Sequence, residues 1–338
     1  MTKQYLDETV QVNERVDDLL DRMTVEEKVG QMVGTTVYQG GEDAVFEAIR
    51  EHKVGSVSTI GLSYTGASSP KDFAEFVNRA QTVAVEETRL GIPLLTPCDA
   101  IHGHANVKGA TVFPHNLGMA ATRDSELVEE AAGVTAEEMR ATGMNHNYNP
   151  TADVARDQRW GRTFETFGES PYLCGVMAAA KVRGYQEPPD PVAATAKHFP
   201  AYGEPSRGED TSPVDKSETT VRRSFVPPFA EAVEAGAEAV MPCYNSVDAE
   251  PVHGSKRYLT DLLRNELGFD GCIVSDWDGV GMLHEDHRTA ASMREAVAQS
   301  TEAGLDVASI GAEEHAEALL ELVEEGEVSE SRIDDSVE

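Results

Sequence analysis

Cysteine is scarce: Cys98, Cys174, Cys243 and Cys272 stand far apart in 338 residues, with no CxxC pair. That spacing argues against a disulfide framework or a paired-cysteine metal site, and mostly apolar neighbours make these buried, reduced thiols. Lysine is scarce too. Nine lysines contribute to 28 basic residues, which face 60 Asp and Glu for a formal net charge of -32. The acidic residues recur along the chain, so most form a solvated face that repels phosphate backbones and anionic lipid. No nucleic-acid partner and no membrane partner is therefore expected, and the excess of acid over lysine suits a halophilic setting, where salt screens self-repulsion. No run approaches the roughly 20 apolar residues of a membrane span, and the segment from Met1 to Leu20 is polar, without an apolar signal core. A cytoplasmic location follows as an expectation. There is no internal repeat, no low-complexity linker and no glycine-rich phosphate turn after the first strand-like run.

What is present is an alternation of short apolar runs and amphipathic stretches. Strands are expected near Val33-Val37, Val54-Ile60, Pro93-Cys98, Met144-Tyr148, Ala193-His198, Ala239-Tyr244, Cys272-Asp276 and Leu305-Ile310. Helices are expected at Pro70-Glu87, Ser125-Thr142, Pro171-Gly184, Pro227-Ala235, Thr260-Leu267 and Ala290-Ala303, with Gly184, Gly236, Gly268 and Gly304 as C-caps. Another helix begins at Thr24, where Thr24 and Glu27 make a capping box. Eight strands alternating with helices favour an α/β fold of the (β/α)8 barrel type over an open doubly wound sheet. The expected layout is an N-terminal arm over residues 1–23, a single barrel domain over 24–325, and a truncated helix or linker over 326–338.

Three of the runs end in polar chemistry. The stretch Gly271-Cys272-Ile273-Val274-Ser275 delivers Asp276 and Trp277, the run from Val192 delivers Lys197 and His198, and Pro93-Leu94-Leu95 soon reaches Asp99 and His102. In a parallel barrel the reactive residues sit at the carboxyl ends of strands, so the pattern points to an enzyme. Long connections, Gly103-Thr122 and Tyr202-Thr220, leave two of those ends. Plainer readings stand beside this one. Asp276 would be a helix N-cap or ion-pair partner, Lys197 and His198 a solvent-facing pair, Trp277 a packed indole, and Tyr244 a core residue. His102 and His104 form an HxH pair that, with Lys197, His198 and Asp306, would suggest a metal-dependent hydrolase. The pair follows the third strand and no further strand-end His is available after the fifth, so no metal and no cofactor is expected.

The segments Asp99-Ala100-Ile101-His102-Gly103, Trp160-Gly161-Arg162, Lys197-His198-Phe199 and Gly268-Phe269-Asp270-Gly271 through Ser275-Asp276-Trp277 together resemble the barrel domain of family 3 glycoside hydrolases, the β-glucosidase and β-glucan exohydrolase group. The likeness runs in order from about Val25 to the end. It implies retaining hydrolysis of terminal non-reducing β-D-glucosyl or related residues, with a β-glucoside or β-glucan oligosaccharide as substrate. By the same resemblance Asp276 is the nucleophile, and Asp99, Arg162, Lys197, His198 and Tyr244 hold the terminal sugar. Trp277 gives it an apolar platform, and Met241 lines the pocket with Tyr244. An attacking carboxylate must be ionised, so Lys197, Arg162 and His198 are expected to hold its pKa low. Arg156, Asp157, Arg159 and Asp153 are expected to form a structural salt-bridge network, and Tyr202, Arg207 and Asp210 to rim the pocket.

One group is missing from this inventory. A retaining glycosidase needs a second carboxyl about 5–5.5 Å from the first as acid/base. In two-domain relatives the resemblance places it on a domain after the barrel; in the barrel-only N-acetylhexosaminidase branch a loop His after strand five serves. That loop contains no His beyond His198, and Glu204, Glu209 and Asp210 read as surface residues. The expectation is that a missing domain or a second polypeptide supplies the acid. The alternative is a non-catalytic sugar-binding or assembly subunit.

Overall fold

The computed structural model describes residues 3–338 apart from Gly61, Pro188 and Asp190. Met1 and Thr2 of the expected arm lie outside these. The rest of the arm holds a helix, Val12–Leu20, and the buried Tyr5, whose hydroxyl donates to the Leu90 carbonyl at 2.9 Å.

The chain is α/β with a parallel sheet. Strands β1 (Gly34–Thr36) and β2 (Ser56–Ser58) pair in parallel, and β3 (Pro97–Cys98), β4 (His146–Asn147), β5 (Ala193–Phe199), β6 (Ala239–Pro242) and, further on, Cys272–Ile273 form a five-stranded parallel sheet in chain order. Between them β7 (Ser246–Val247) and β8 (Glu250–Pro251) make a small antiparallel hairpin, so Cys272–Ile273 is β9. Single parallel bridges join the two sheets: Ser56 with Leu95, Val274 with Val307, and Val33 with Ala308. The pairings thus proceed along the chain and return to its first strand. β5 is buried along nearly its whole length, as a strand covered on both faces must be.

The strands are shorter than the apolar runs that announce them. The Leu305-Ile310 stretch forms no strand and pairs only through bridges at Val307 and Ala308. Pro93 and Pro97 lack the N–H that a longer third strand would need, and Pro242 ends the sixth. Helices keep their sequence signals better. Pro70–Glu87 starts at a capping box between Ser69 and Asp72, with proline in its first turn, and buries Phe73, Phe76, Val77 and Ala80. The Thr24–Glu27 capping box is formed as expected. Gly236, Gly268 and Gly304 follow their helices with positive φ. Gly184 does not cap: its helix, Pro171–Gln186, continues past it. The glycine is a contact point with Ser125–Ala141, where an added Cβ would lie 2.2 Å from the Glu129 carbonyl. The expected Thr260-Leu267 helix is a π-helical segment, Arg257–Glu266.

At the amino ends of the strands, Asp306 accepts from Arg264, from Arg332 at 3.1 Å and from the Ile273 N–H at 2.8 Å. Arg332 belongs to a helix, Glu330–Val337, that buries Ile333 and pairs its Asp334 with Lys28 at 2.5 Å. No helix among the described residues is long and apolar enough to cross a membrane.

Candidate functional site

Past the carboxyl ends of the parallel strands, where chain leaves the sheet for loops, lies a cavity of about 310 Å³. It is lined by Ser58, Ile60, Asp99, Ile101, Tyr148, Arg162, Glu165, Lys197, Met241, Tyr244, Asp276, Trp277, Ser309 and Ile310. Seven of the eight residues expected to bind or react therefore meet at one place, although they come from segments up to 178 residues apart. His198 stands directly behind, 1% exposed.

Two donors fix one oxygen of Asp276: the Tyr244 hydroxyl and the Trp277 N–H each reach Oδ1 at 2.7 Å. Tyr244 is thus not a core residue satisfied by backbone. The Asp276 N–H donates to His253 Nε2 at 3.1 Å, which fixes the backbone that carries the carboxylate. Among the described residues Oδ2 has no hydrogen-bond partner, and His198 Nε2 stands 3.5 Å from it. Elsewhere in the cavity lining Lys197 Nζ meets Asp99 Oδ1 at 2.5 Å. Arg162 grips Glu165 with two bonds, 2.7 and 2.9 Å, and donates to His198 Nε2 at 3.1 Å. His198 Nδ1 donates to Asp153 Oδ2 at 2.8 Å, so the ring is neutral with its proton on Nδ1. A ring of donors and acceptors facing an indole is what a polyol needs: polar contacts for hydroxyls and an apolar face for C–H groups.

Residues 24–338 match the family model described as the glycosyl hydrolase family 3 N terminal domain. The chain belongs to that family. A lysosomal β-glucosidase of Dictyostelium discoideum is 35% identical over 95% of this chain, which covers 42% of that protein. A β-xylosidase of Formosa agariphila is 41% identical over 65% of the chain, or 32% of its own length. The solved structure of a β-glucosidase from Erythrobacter marinus superposes with a TM-score of 0.92 at 30% identity, over 99% of this chain and 45% of that one. The family 3 chain thus spans about half the length, or less, of these relatives.

The electrostatics differ from the sequence expectation. Burial is the largest influence on Asp276 and pushes its pKa up; Lys197, the Tyr244 hydroxyl, Arg162 and the Trp277 N–H oppose it. His198 contributes no cation, because burial, then Arg162 and Lys197, hold it far below the ordinary histidine range. Donors and cations are present, but they do not fully offset desolvation.

Asp153 is also corrected. It is 1% exposed beneath His198, whose N–H and Nδ1 it accepts through Oδ2, while Arg159 pairs with Asp157 at the surface. A polar stretch of sequence hides this, because only burial separates Asp153 from its neighbours. The rim residues are redistributed as well: Tyr202 is buried against Trp160 and His198, Asp210 accepts from Trp160 Nε1 at 2.7 Å, and Arg207 pairs with Glu209 outside. Glu165 lines the cavity without having been singled out; its spacing three residues after Arg162 was the available signal. His102 donates from Nδ1 to the Phe113 carbonyl at 2.9 Å, and His104 Nε2 pairs with the Thr142 hydroxyl at 2.9 Å, so the HxH pair is divided between two separate contacts.

Burial pushes Asp153 up to about 8, with Arg162 the main opposing influence. A carboxyl raised in the folded state holds its proton more tightly than in the unfolded chain, so its contribution to stability is full below the unfolded pKa and is lost as pH rises towards 8. Asp153→Asn keeps an oxygen for His198 and removes the buried charge. The urea midpoint of the variant is expected to fall less than that of the parent between pH 4 and pH 8, giving the variant the higher midpoint at the alkaline end; equal slopes would contradict this.

Proposed function

We propose that the chain is the nucleophile-bearing and sugar-holding part of a retaining β-glycoside hydrolase acting on terminal non-reducing β-glucosyl or related residues. The observation that carries the reading is the convergence on one cavity of Asp276, fixed by Tyr244 and Trp277, with the Asp99–Lys197 and Arg162–Glu165 pairs. Family membership and the β-glucosidase and β-xylosidase names of its relatives support the reaction class. The closed order of parallel pairings supports a (β/α)8 barrel over about residues 24–325.

In this reading a carboxylate oxygen of Asp276 attacks the anomeric carbon as the bond to the leaving-group oxygen breaks, forming a glycosyl ester that water later hydrolyses with net retention. Asp99, Lys197, Arg162 and Glu165 hold the ring hydroxyls, and Trp277 and Met241 cover its C–H faces. Of the other carboxylates lining the cavity, Asp99 and Glu165 are both in ion pairs, so neither is poised to give a proton. The acid/base therefore comes from outside these residues, by a further domain or a second polypeptide, and without it ordinary glycosides lose the roughly 10²- to 10⁴-fold that general acid help provides. The acidic surface supports operation in concentrated salt.

The test is mass spectrometry of the chain after exposure to 2-deoxy-2-fluoro-β-glucosyl fluoride, whose leaving group needs no proton. One added fluoroglucosyl mass, on the peptide containing Asp276 and absent from Asp276→Asn, is the expected result. A folded chain that binds glucose yet gains no mass would favour a sugar-binding subunit instead.

A further inference from the structure

Behind the cavity, on the Pro171–Gln186 helix, Lys181 is 2% exposed. Its ammonium meets three uncharged oxygens: the Ile101 carbonyl, Asn116 Oδ1 at 2.8 Å and Asn149 Oδ1 at 3.3 Å. An ammonium has three N–H donors and no acceptor, so the match is complete. Burying such a group is costly unless every donor is used, and burial pushes this one down to about 7. A methionine would fill the same space without that cost, but it would take a donor from all three oxygens, of which Asn149 Oδ1 keeps the Tyr185 hydroxyl.

Each of those oxygens leads to a wall of the sugar pocket. Ile101 lines the cavity two residues after Asp99. Asn116 passes the connection on: its Nδ2 donates to the Glu165 carbonyl at 2.6 Å, and Glu165 is the residue that grips Arg162. Asn149 follows Tyr148, which also lines the cavity, and its Oδ1 accepts a second bond from the Tyr185 hydroxyl at 2.8 Å.

We propose that Lys181 is a positioning residue that ties the Asp99–Ile101 segment to the Arg162–Glu165 turn and so sets the spacing of the two charged pairs that hold the sugar. The inference rests on the glycoside-hydrolase reading of the pocket. It differs from a packing role in where its loss is felt. Removing three bonds at one hub loosens two segments distant in sequence together, and leaves the rest of the fold as it was.

Amide hydrogen exchange on the chain and on Lys181→Met tests this. Exchange is expected to accelerate about tenfold or more at residues 100–103 and 163–166 together, with little change in the Ala312–Glu324 helix. Uniform acceleration, or none at either segment, would overturn the proposal. Asn116→Ala cuts only one arm and keeps the lysine, so it decides the matter even if Lys181→Met does not fold: residues 163–166 are expected to loosen and 100–103 to stay protected, and equal protection at both would overturn it. Labelling kinetics with the fluoroglucosyl fluoride give the functional readout, a rise in KI of about tenfold with a smaller change in the rate at saturation, the pattern of a pocket that has lost its spacing. If the parent chain takes no label, the hydrolase reading fails, while the exchange data still decide the tether.

Discussion

Asp276→Gly is expected to lower turnover of 2,4-dinitrophenyl β-glucoside by about 10⁴-fold or more, the order of loss that accompanies removal of a covalent nucleophile. Sodium azide should restore much of it. The substitution removes the carboxylate but leaves its two donors, the Tyr244 hydroxyl and the residue 277 N–H, directed at the vacated space. A small anion entering there meets the donors that had held Oδ1 and attacks the anomeric carbon from the face opposite the leaving group. Dinitrophenolate departs with the bonding pair and needs no proton, so no general acid is required at this step. The product is α-glucosyl azide, with no carboxylate present to displace it again. Proton NMR of the product decides the question by its anomeric coupling. A β-configured azide, or a folded variant that azide does not revive, would remove Asp276 from the role of nucleophile.

The place of Asp276 in the cavity was legible in the sequence because a side chain at a strand end is announced by the apolar run before it, and the run is local. Cys272 to Ser275 needed no knowledge of the fold to aim Asp276 outward. The same locality made helix starts legible: Ser69 with Asp72 and Thr24 with Glu27 are signals within four residues. Strand lengths were not legible, because pairing depends on a neighbour far away in sequence; Leu305-Ile310 is apolar enough for a strand, yet only two of its residues find partners. The helices Gly41–Glu51 and Ala312–Glu324 escaped because each begins at a glycine with no side-chain cap.

Buried charge was the least legible feature. Lys181 follows three alanines on a helix and reads as a solvated residue, and Asp153 reads as one acid among several charges. Both are almost completely buried, and both are held by partners more than 30 residues away in sequence. The sign of the Asp276 shift failed for the same reason. A list of nearby cations predicts a low pKa; only the cavity walls reveal how much water the carboxylate has lost.

Lys197→Met follows from that balance and carries the second large effect. Lys197 is 3% exposed, bonds Asp99 and is the strongest of the groups that lower the Asp276 pKa. Removing its charge leaves burial opposed by the Tyr244 hydroxyl, Arg162 and the Trp277 N–H, so the carboxyl is expected to rise further. Attack requires the ionised form. The acid limb of the labelling rate with the fluoroglucosyl fluoride should therefore move to higher pH, and the deficit of the variant should be greater at pH 5 than at pH 8. A second loss, independent of pH, comes from Asp99, which is left half-buried without its cation. In the proposed reading the pair holds the ring hydroxyls, and truncating one partner of a hydrogen-bonded charge pair costs binding about 2–5 kcal/mol, so labelling efficiency should fall by about 10²-fold even on the alkaline plateau. Asp99→Asn should share that second loss without moving the limb, because Lys197 then remains to act on Asp276. A limb that stays in place in Lys197→Met, or moves in Asp99→Asn alone, would mean that Lys197 acts on the sugar and not on the nucleophile.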